Sequence, residues 1–182
     1  MSKKTKTTAI DLVKNETFLT YITLSLAFLI PVFIGHPQSV VGSIINMFLV
    51  LAAIKFNKLP ILGVTLLPSL GAISRGLLFG PFTHLLLYMV PFIWLGNLIL
   101  VLSFTYLYKK KRINYFVTLG IGAMSKYLLL FGSSYLLVSA KILPKLFLTS
   151  MGISQFITAS IGGVLAYTVL WKLKIIQHTI HE

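Results

Sequence analysis

The sequence predicts an all-α, polytopic membrane protein with six transmembrane helices and both termini in the cytoplasm. Of its 182 residues, 57% are hydrophobic and only 10% are charged, and the mean hydropathy is +0.92. The charges form short patches between long apolar runs, whereas a soluble domain needs charge spread over its surface. Basic patches beside apolar spans are topology signals and contacts for anionic membrane lipids. The net charge of +13 therefore does not indicate a nucleic-acid partner.

Six apolar runs approach the roughly 20 residues needed to cross about 30 Å of hydrocarbon. In chain order they cover residues 18–35, 39–56, 59–79, 82–108, 113–140 and 145–171. The basic start resembles a signal peptide, but the first run is long and lacks a small-x-small cleavage site, which favours a retained helix. We predict a cytoplasmic basic segment over 1–17, a transmembrane domain over 18–171 and a cytoplasmic tail over 172–182.

The distribution of basic residues tests whether the second run crosses the membrane. With six crossings and a cytoplasmic N terminus, twelve of the sixteen Lys and Arg residues lie inside, and only Lys141 and Lys145 lie outside. Without that crossing, the cluster KKKR at 109–112 would be translocated while the N-terminal lysines stayed inside. The charge distribution therefore favours six crossings in the cell membrane.

Prolines and small residues indicate how the later helices pack. Prolines within the first, third and fourth runs each free a backbone carbonyl, which neighbouring helices or water must satisfy. These prolines are Pro31, Pro68 and Pro91. The sixth run has a small residue at every fourth position: Ser154, Thr158, Gly162 and Ala166. Such a ridge permits close approach of another helix, either within the bundle or from a second membrane protein.

Two cations lie inside the predicted spans, Arg75 in the third and Lys126 in the fifth, while no Asp or Glu occurs between Thr17 and His181. A buried cation costs at least a few kcal/mol near the bilayer centre, so each must face protein, water or an anion. By helical rise, both fall in the outer half of the membrane. Two interpretations are open: the cations bind an anionic ligand, or they satisfy backbone carbonyls or reach the interface by snorkelling.

Other polar and aromatic side chains fall at mid-depth or above on the remaining spans. The residues predicted to bind a substrate are Arg75, Lys126, Gln155, Asn46, His84, Trp94 and Tyr127. We expect a pocket open to the outside, where the cations neutralise a carboxylate or phosphate, amides bind its polar edge, and aromatic rings cover an apolar part. Asn97 lies almost opposite His84 on the helical wheel and is assigned to a different helix contact.

The residue types argue against several classes of enzyme. The chain has no cysteine, so it has no disulfide, thiolate metal site or cysteine nucleophile. Neither G-x-x-x-x-G-K-[ST] nor G-x-S-x-G occurs, and the four histidines make no intramembrane metal site. Ion-coupled transport normally needs an intramembrane carboxylate, which is absent. We predict a protein that is not an enzyme, requires no cofactor or metal, and draws energy for any transport from a partner.

Two stretches carry a resemblance to a known family. LLFGPFTHLLLYMVPFIWLGN at 77–97 resembles the glycine-proline turn and following helix of the substrate-binding S components of energy-coupling factor (ECF) transporters. MGISQFITASIGGVLAY at 151–167 is similar to their last span. Where that family often carries an Ala-x-x-x-Ala patch, the first span here has only Ala27. The resemblance implies capture of a vitamin, vitamin precursor or metal ion, with a transmembrane coupling subunit and two ATPase subunits supplying the energy.

The competing interpretation is a membrane scaffold, for example a cell-envelope assembly subunit. It would bind proteins or lipid through its helix ridges and the basic loop at 109–112. In a scaffold, side chains would fill the pocket, and the two cations would be paired with carbonyl groups. A lipid-handling enzyme is a third class, but the sequence contains no constellation of acid and nucleophile that would serve it.

Overall fold

The computed structural model describes residues 16–34, 36–56, 58–75 and 84–173, and all regular secondary structure in these ranges is helical. The all-α prediction is confirmed there. The predicted segments 1–17 and 172–182 lie largely outside the described residues, as do positions 76–83. The helices are α1 (Glu16–Phe33), α2 (Gln38–Lys55), α3 (Lys58–Arg75), α4 (Leu86–Ser103), α5 (Tyr115–Ser139), α6 (Leu146–Met151) and α7 (Ile153–Lys172), and a π-helical segment, Phe104–Lys110, extends α4.

Each of the six apolar runs coincides with helical structure. Within the described ranges, four helical segments are long and apolar enough to cross a membrane: Gln38–Lys55, Leu86–Lys110, Tyr115–Ser139 and Leu146–Lys172. Thr17–Phe33 and Pro60–Arg75, from the first and third runs, are apolar but shorter. These long apolar helices fit a membrane protein.

The sixth run was predicted as a single span, but it does not form one continuous helix. It breaks at Gly152, which separates α6 from α7. A Cβ atom at this position would lie 3.0 Å from Cδ2 of Phe131 on α5 and would also clash with the carbonyl oxygen of Leu148. The break thus lies where the chain passes close against α5, and only a residue without a side chain fits this approach.

Glycine contacts show that α1 and α3 run parallel, as do α2 and α7. Leu24 on α1 packs at Gly63, and Phe28 packs at Gly71, so residue numbers increase together along both helices. On α7, the predicted ridge faces α2 inside the bundle. A Cβ atom at Gly162 would lie 2.5 Å from the carbonyl oxygen of Ser43. The ridge therefore forms an internal contact in which two backbones approach closely.

Helix α5 runs antiparallel to α4 and α7. Gly96 packs against Leu130 and Gly122 against Leu100, so numbers fall along α5 as they rise along α4. Gly152 packs against Phe131 and Gly163 against Leu119, so numbers also fall along α5 as they rise along α7. Helices α2, α4 and α7 thus run in one direction and α5 in the other, which brings one group of basic residues to the same end of the bundle. This basic end contains Lys55, Lys109, Lys110, Lys111, Arg112 and Lys172.

The apolar core has two parts, separated at mid-depth by polar side chains. The larger part lies mainly toward the basic end and includes Phe104, Leu119 and Leu170. The smaller part, with Met89 and Leu130, lies in the opposite half. On α5, the larger cluster ends at Ala123 and the smaller begins at Leu130, with Lys126 between them. The layer between the two clusters positions the candidate site.

Candidate functional site

Lys126 lies near the middle of α5, about 17 Å along the helix axis from Tyr115. Its side chain is only 2% exposed. Nζ donates hydrogen bonds to Oδ1 of Asn46 on α2, at 2.6 Å, and to Oδ1 of Asn97 on α4, at 2.8 Å. Two amide oxygens thus take the place of water around the amine, and no carboxylate among the described residues balances its charge in the protonated state.

The two asparagines are themselves held by neighbouring helices. Asn46 Nδ2 donates to the carbonyl of Gly42 at 2.8 Å and to Oγ1 of Thr158 on α7 at 3.3 Å. Asn97 Nδ2 donates to the carbonyl of Thr65 on α3 at 3.1 Å. Because both amide nitrogens donate elsewhere, the amide oxygens are oriented toward Lys126. This network, the amide cradle, joins five helices through Lys126, Asn46, Asn97, Thr65 and Thr158.

A cavity of about 170 Å³ extends from the amide cradle toward the end of the bundle away from the basic residues. Pro31, Gly42, Ala72 and Met151 are among the residues that line it, so its wall includes parts of α1, α2, α3 and α6. Lys126 lines its mid-depth end. This cavity, the chamber, is therefore largely apolar and has one buried amine at its mid-depth end.

Three of the seven predicted substrate-binding residues line this cavity: Asn46, Lys126 and Gln155. Gln155 Nε2 donates to the carbonyl of Ser150 at 3.3 Å, which holds its side chain across the break between α6 and α7. Thr158 also lines the cavity and donates to the backbone carbonyl of Gln155 at 3.2 Å. The structure therefore brings amide groups from α2 and α7 to the same chamber as the amine.

The other four predicted residues do not line this cavity. His84 is exposed at the start of the described segment before α4. Trp94 Nε1 is buried with no hydrogen-bond partner among the described residues. Tyr127 stacks on Phe131 with 5.7 Å between ring centroids. Their proposed contacts with a substrate stay predictions.

Arg75, the last of the four predicted residues outside the cavity, donates a hydrogen bond to the backbone of α1. It is the last residue of α3, and Nη1 donates to the carbonyl of Val32 at 2.8 Å. Val32 lies in the final turn of α1, where carbonyls have no partner further along the helix. The guanidinium therefore caps α1, which corresponds to the second interpretation of the buried cations. Nε is buried without a partner among the described residues.

No family model, curated protein or solved structure matches this chain. Its function must therefore be argued from the chemistry of the cavity. No Asp or Glu lies between Thr17 and His181, so the chamber contains no carboxylate for acid–base catalysis or cation binding. Within the described ranges, no group of three His, Cys, Asp or Glu residues is placed to hold a metal ion. What the chamber offers a ligand is hydrogen-bond donors and apolar surface.

Asn97 and Ser69 line the cavity but were not among the predicted site residues. Asn97 was separated from the predicted site because it lies almost opposite His84 on the helical wheel of the predicted fourth run, but Asn97 lines the cavity and His84, which precedes α4, does not. Ser69 lines the cavity with a hydroxyl that is buried and has no partner among the described residues. One signal was present in the sequence: Thr65 and Ser69, four residues apart, put two hydroxyls on one face of α3.

Proposed function

We propose that this protein captures a small anionic solute inside the membrane, as the substrate-binding subunit of an uptake system. The supporting observation is the cavity that ends at Lys126, a buried amine surrounded by neutral amides. An isolated buried charge is unfavourable unless it is paired and hydrogen-bonded. Because the protein provides no carboxylate here, an anionic ligand is the natural partner of the protonated amine.

The proposed topology has six crossings, with both termini and the basic end in the cytoplasm. The alternating helix directions support this arrangement, because they gather Lys55, Lys172 and the cluster at 109–112 at one end. Cytoplasmic loops carry an excess of Lys and Arg. The cavity then occupies the outer half of the bundle, where it receives solute from outside the cell.

The energy source is part of the same proposal. No carboxylate lies within the spans to couple transport to protons or sodium ions. The resemblance of residues 77–97 and 151–167 to S components supports an ECF-type arrangement, in which a transmembrane coupling subunit and two ATPase subunits drive uptake.

The alternative, a scaffold, requires a pocket filled by side chains, and the open chamber beside Lys126 favours solute capture instead.

The capture function predicts that small anions stabilise the protein. We expect carboxylates, sulfonates and phosphate esters of up to about ten non-hydrogen atoms to include compounds that raise the melting temperature of the detergent-purified chain. Ligand that binds only the folded state stabilises it by mass action. The neutral amide or alcohol of each compound is the control. A panel in which no anion stabilises the protein more than its neutral counterpart would contradict the proposal.

The topology predicts which single cysteines react from each side of the membrane, and the chain provides a cysteine-free background. In intact cells, a membrane-impermeant maleimide is expected to label cysteines at Ile34, His84 and Lys141. It is expected to label cysteines at Thr17 and Lys110 only after permeabilisation. If α3 did not cross, positions 34 and 84 would react from opposite sides. If α1 did not cross, positions 17 and 34 would react from the same side.

A further inference from the structure

We infer that the cavity binds a small organic monocarboxylate with an apolar body about the size of a benzene ring, and that Lys126 and Ser69 together hold its carboxylate. The inference rests on the proposed function and specifies the ligand class. Four features carry it: the third N–H that Lys126 has when protonated, the hydroxyl of Ser69, the volume of the chamber and its charge balance.

The first observation concerns the hydrogen-bonding capacity of Lys126. A protonated lysine has three N–H donors. Two of them reach Asn46 and Asn97, and no further acceptor for Nζ occurs among the described residues. Leaving a buried donor unpaired costs about 1–3 kcal/mol. Since Lys126 lines the cavity, a ligand oxygen there would complete its set of hydrogen bonds.

The second observation concerns Ser69 on α3. Hydroxyls in these helices commonly donate to the carbonyl four residues earlier, as Thr65 does to Ile61 at 2.8 Å and Ser133 does to Leu129 at 2.7 Å. The equivalent acceptor for Ser69 is the carbonyl of Thr65, which already accepts the bond from Asn97 Nδ2. Ser69 is 4% exposed, and its Oγ has no partner in the described part of the chain.

The cradle therefore explains why this hydroxyl is free. Asn97 uses its oxygen to bind Lys126 and its nitrogen to occupy the acceptor that Ser69 would otherwise use. Both Lys126 and Ser69 line the same chamber. A carboxylate has two acceptor oxygens, so one ligand group has the capacity to accept from the ammonium and from the hydroxyl.

The volume and the lining define the rest of the ligand. The chamber has a volume of about 170 Å³, and an apolar cavity of about 150 Å³ is known to hold benzene. Val41, Ile45, Leu86 and Ile93 contribute apolar side chains to its wall. A ligand with a compact apolar body therefore fits the space beside the polar groups of the lining.

The charge balance selects a monoanion. Among the described residues that line the chamber, Lys126 is the sole Lys or Arg, and Arg75 instead caps α1. A single carboxylate balances one ammonium. A dianion of similar size would carry a second charge into the apolar chamber without a counter-ion, which is strongly unfavourable.

Equilibrium binding of benzoate, benzamide and phthalate to the full-length protein in detergent tests the ligand class. Benzoate is expected to bind at least tenfold more tightly than neutral benzamide and than the dianion phthalate. Equal or tighter binding of phthalate overturns the monocarboxylate assignment while leaving anion capture intact. Equal binding of benzamide overturns the role of the carboxylate. If benzoate does not bind although another anion of the stabilisation panel does, the ligand class fails and the capture function stands.

Two variants test whether Lys126 and Ser69 bind the carboxylate of the ligand. Asn46→Asp places a carboxylate beside Lys126 without changing the shape of the side chain, and it is expected to weaken benzoate binding at least 100-fold while the protein stays folded. Ser69→Ala is expected to weaken it about tenfold, since a hydrogen bond to a charged group is lost. The matched control is Thr118→Val, because Thr118 also has a buried hydroxyl without a described partner but does not line the chamber. Unchanged benzoate affinity in Asn46→Asp, or equal effects of Ser69→Ala and Thr118→Val, would overturn the inference.

Discussion

Replacement of Lys126 by Met is expected to abolish binding of anionic solutes, with a loss of affinity of at least 100-fold. The variant removes the sole Lys or Arg side chain of the described lining and fills part of the mid-depth end of the chamber with an apolar group. Affinity measured by equilibrium binding or by ligand-induced stabilisation reports this loss. Lys111→Met is the control, because it removes the same charge from an exposed position at the basic end.

Lys126→Met also changes stability, and this effect must be separated from the loss of binding. It leaves Oδ1 of Asn46 and Oδ1 of Asn97 without their donor, at a cost of about 1–3 kcal/mol for each buried acceptor. Removing the buried amine offsets part of that cost. Size-exclusion elution and helical circular dichroism establish that the variant is folded. A folded Lys126→Met protein with unchanged affinity for anions would contradict the assigned role of the amine.

Replacement of Gly162 by Ala is expected to destabilise the protein strongly. A Cβ atom there would lie 2.5 Å from the carbonyl oxygen of Ser43 and 2.8 Å from the backbone nitrogen of Met47. Backbone atoms of α2 cannot rotate away, so α2 and α7 must separate. Overpacking typically costs about 1–3 kcal/mol. Unfolding of the detergent-solubilised protein by denaturant measures the change.

Gly120→Ala is the matched control, because a Cβ atom at Gly120 on α5 meets nothing within 4 Å. This control should be neutral or stabilising, since Ala has a higher helix propensity than Gly by up to about 1 kcal/mol. Gly162→Ala should also weaken anion binding, because its Cβ atom would press on Asn46, a member of the amide cradle. Equal stability of the two variants would contradict the prediction, because it would show that α2 and α7 accommodate the added methyl group without a loss of stability.

The helices were largely predictable from local sequence. Apolar runs with lysines at their ends mark where a chain enters and leaves a membrane, and α2, α4 and α5 begin and end within a few residues of the predicted runs. The break at Gly152 was not predictable in this way. The residues on both sides of it are apolar, and the break depends on the close approach of the chain to Phe131 on another helix.

The hydrogen-bond partners of the two cations also could not be predicted from the sequence. A helical wheel gives the angle of Lys126 on its own helix, but not which faces of α2 and α4 meet it. For that reason Asn46 was included among the site residues while Asn97 was assigned elsewhere, although the two make equivalent hydrogen bonds to Nζ. Arg75 and Lys126 were treated alike because both are cations within apolar runs. The structure separates them, since one meets the end of a helix and the other a cavity.

The amino-acid sequence by itself determined that the chain forms long apolar helices, as fits a membrane protein, and that no Asp or Glu lies between Thr17 and His181 to pair with the cations in those helices. These properties depend only on composition and on the order of residues along the chain. The tertiary structure alone decided that Arg75 caps a backbone carbonyl and that Lys126 lies in an amide cradle beside an open chamber. The physical reason is that the surroundings of a buried charge are set by groups distant in sequence, which come together only when five helices pack around one point.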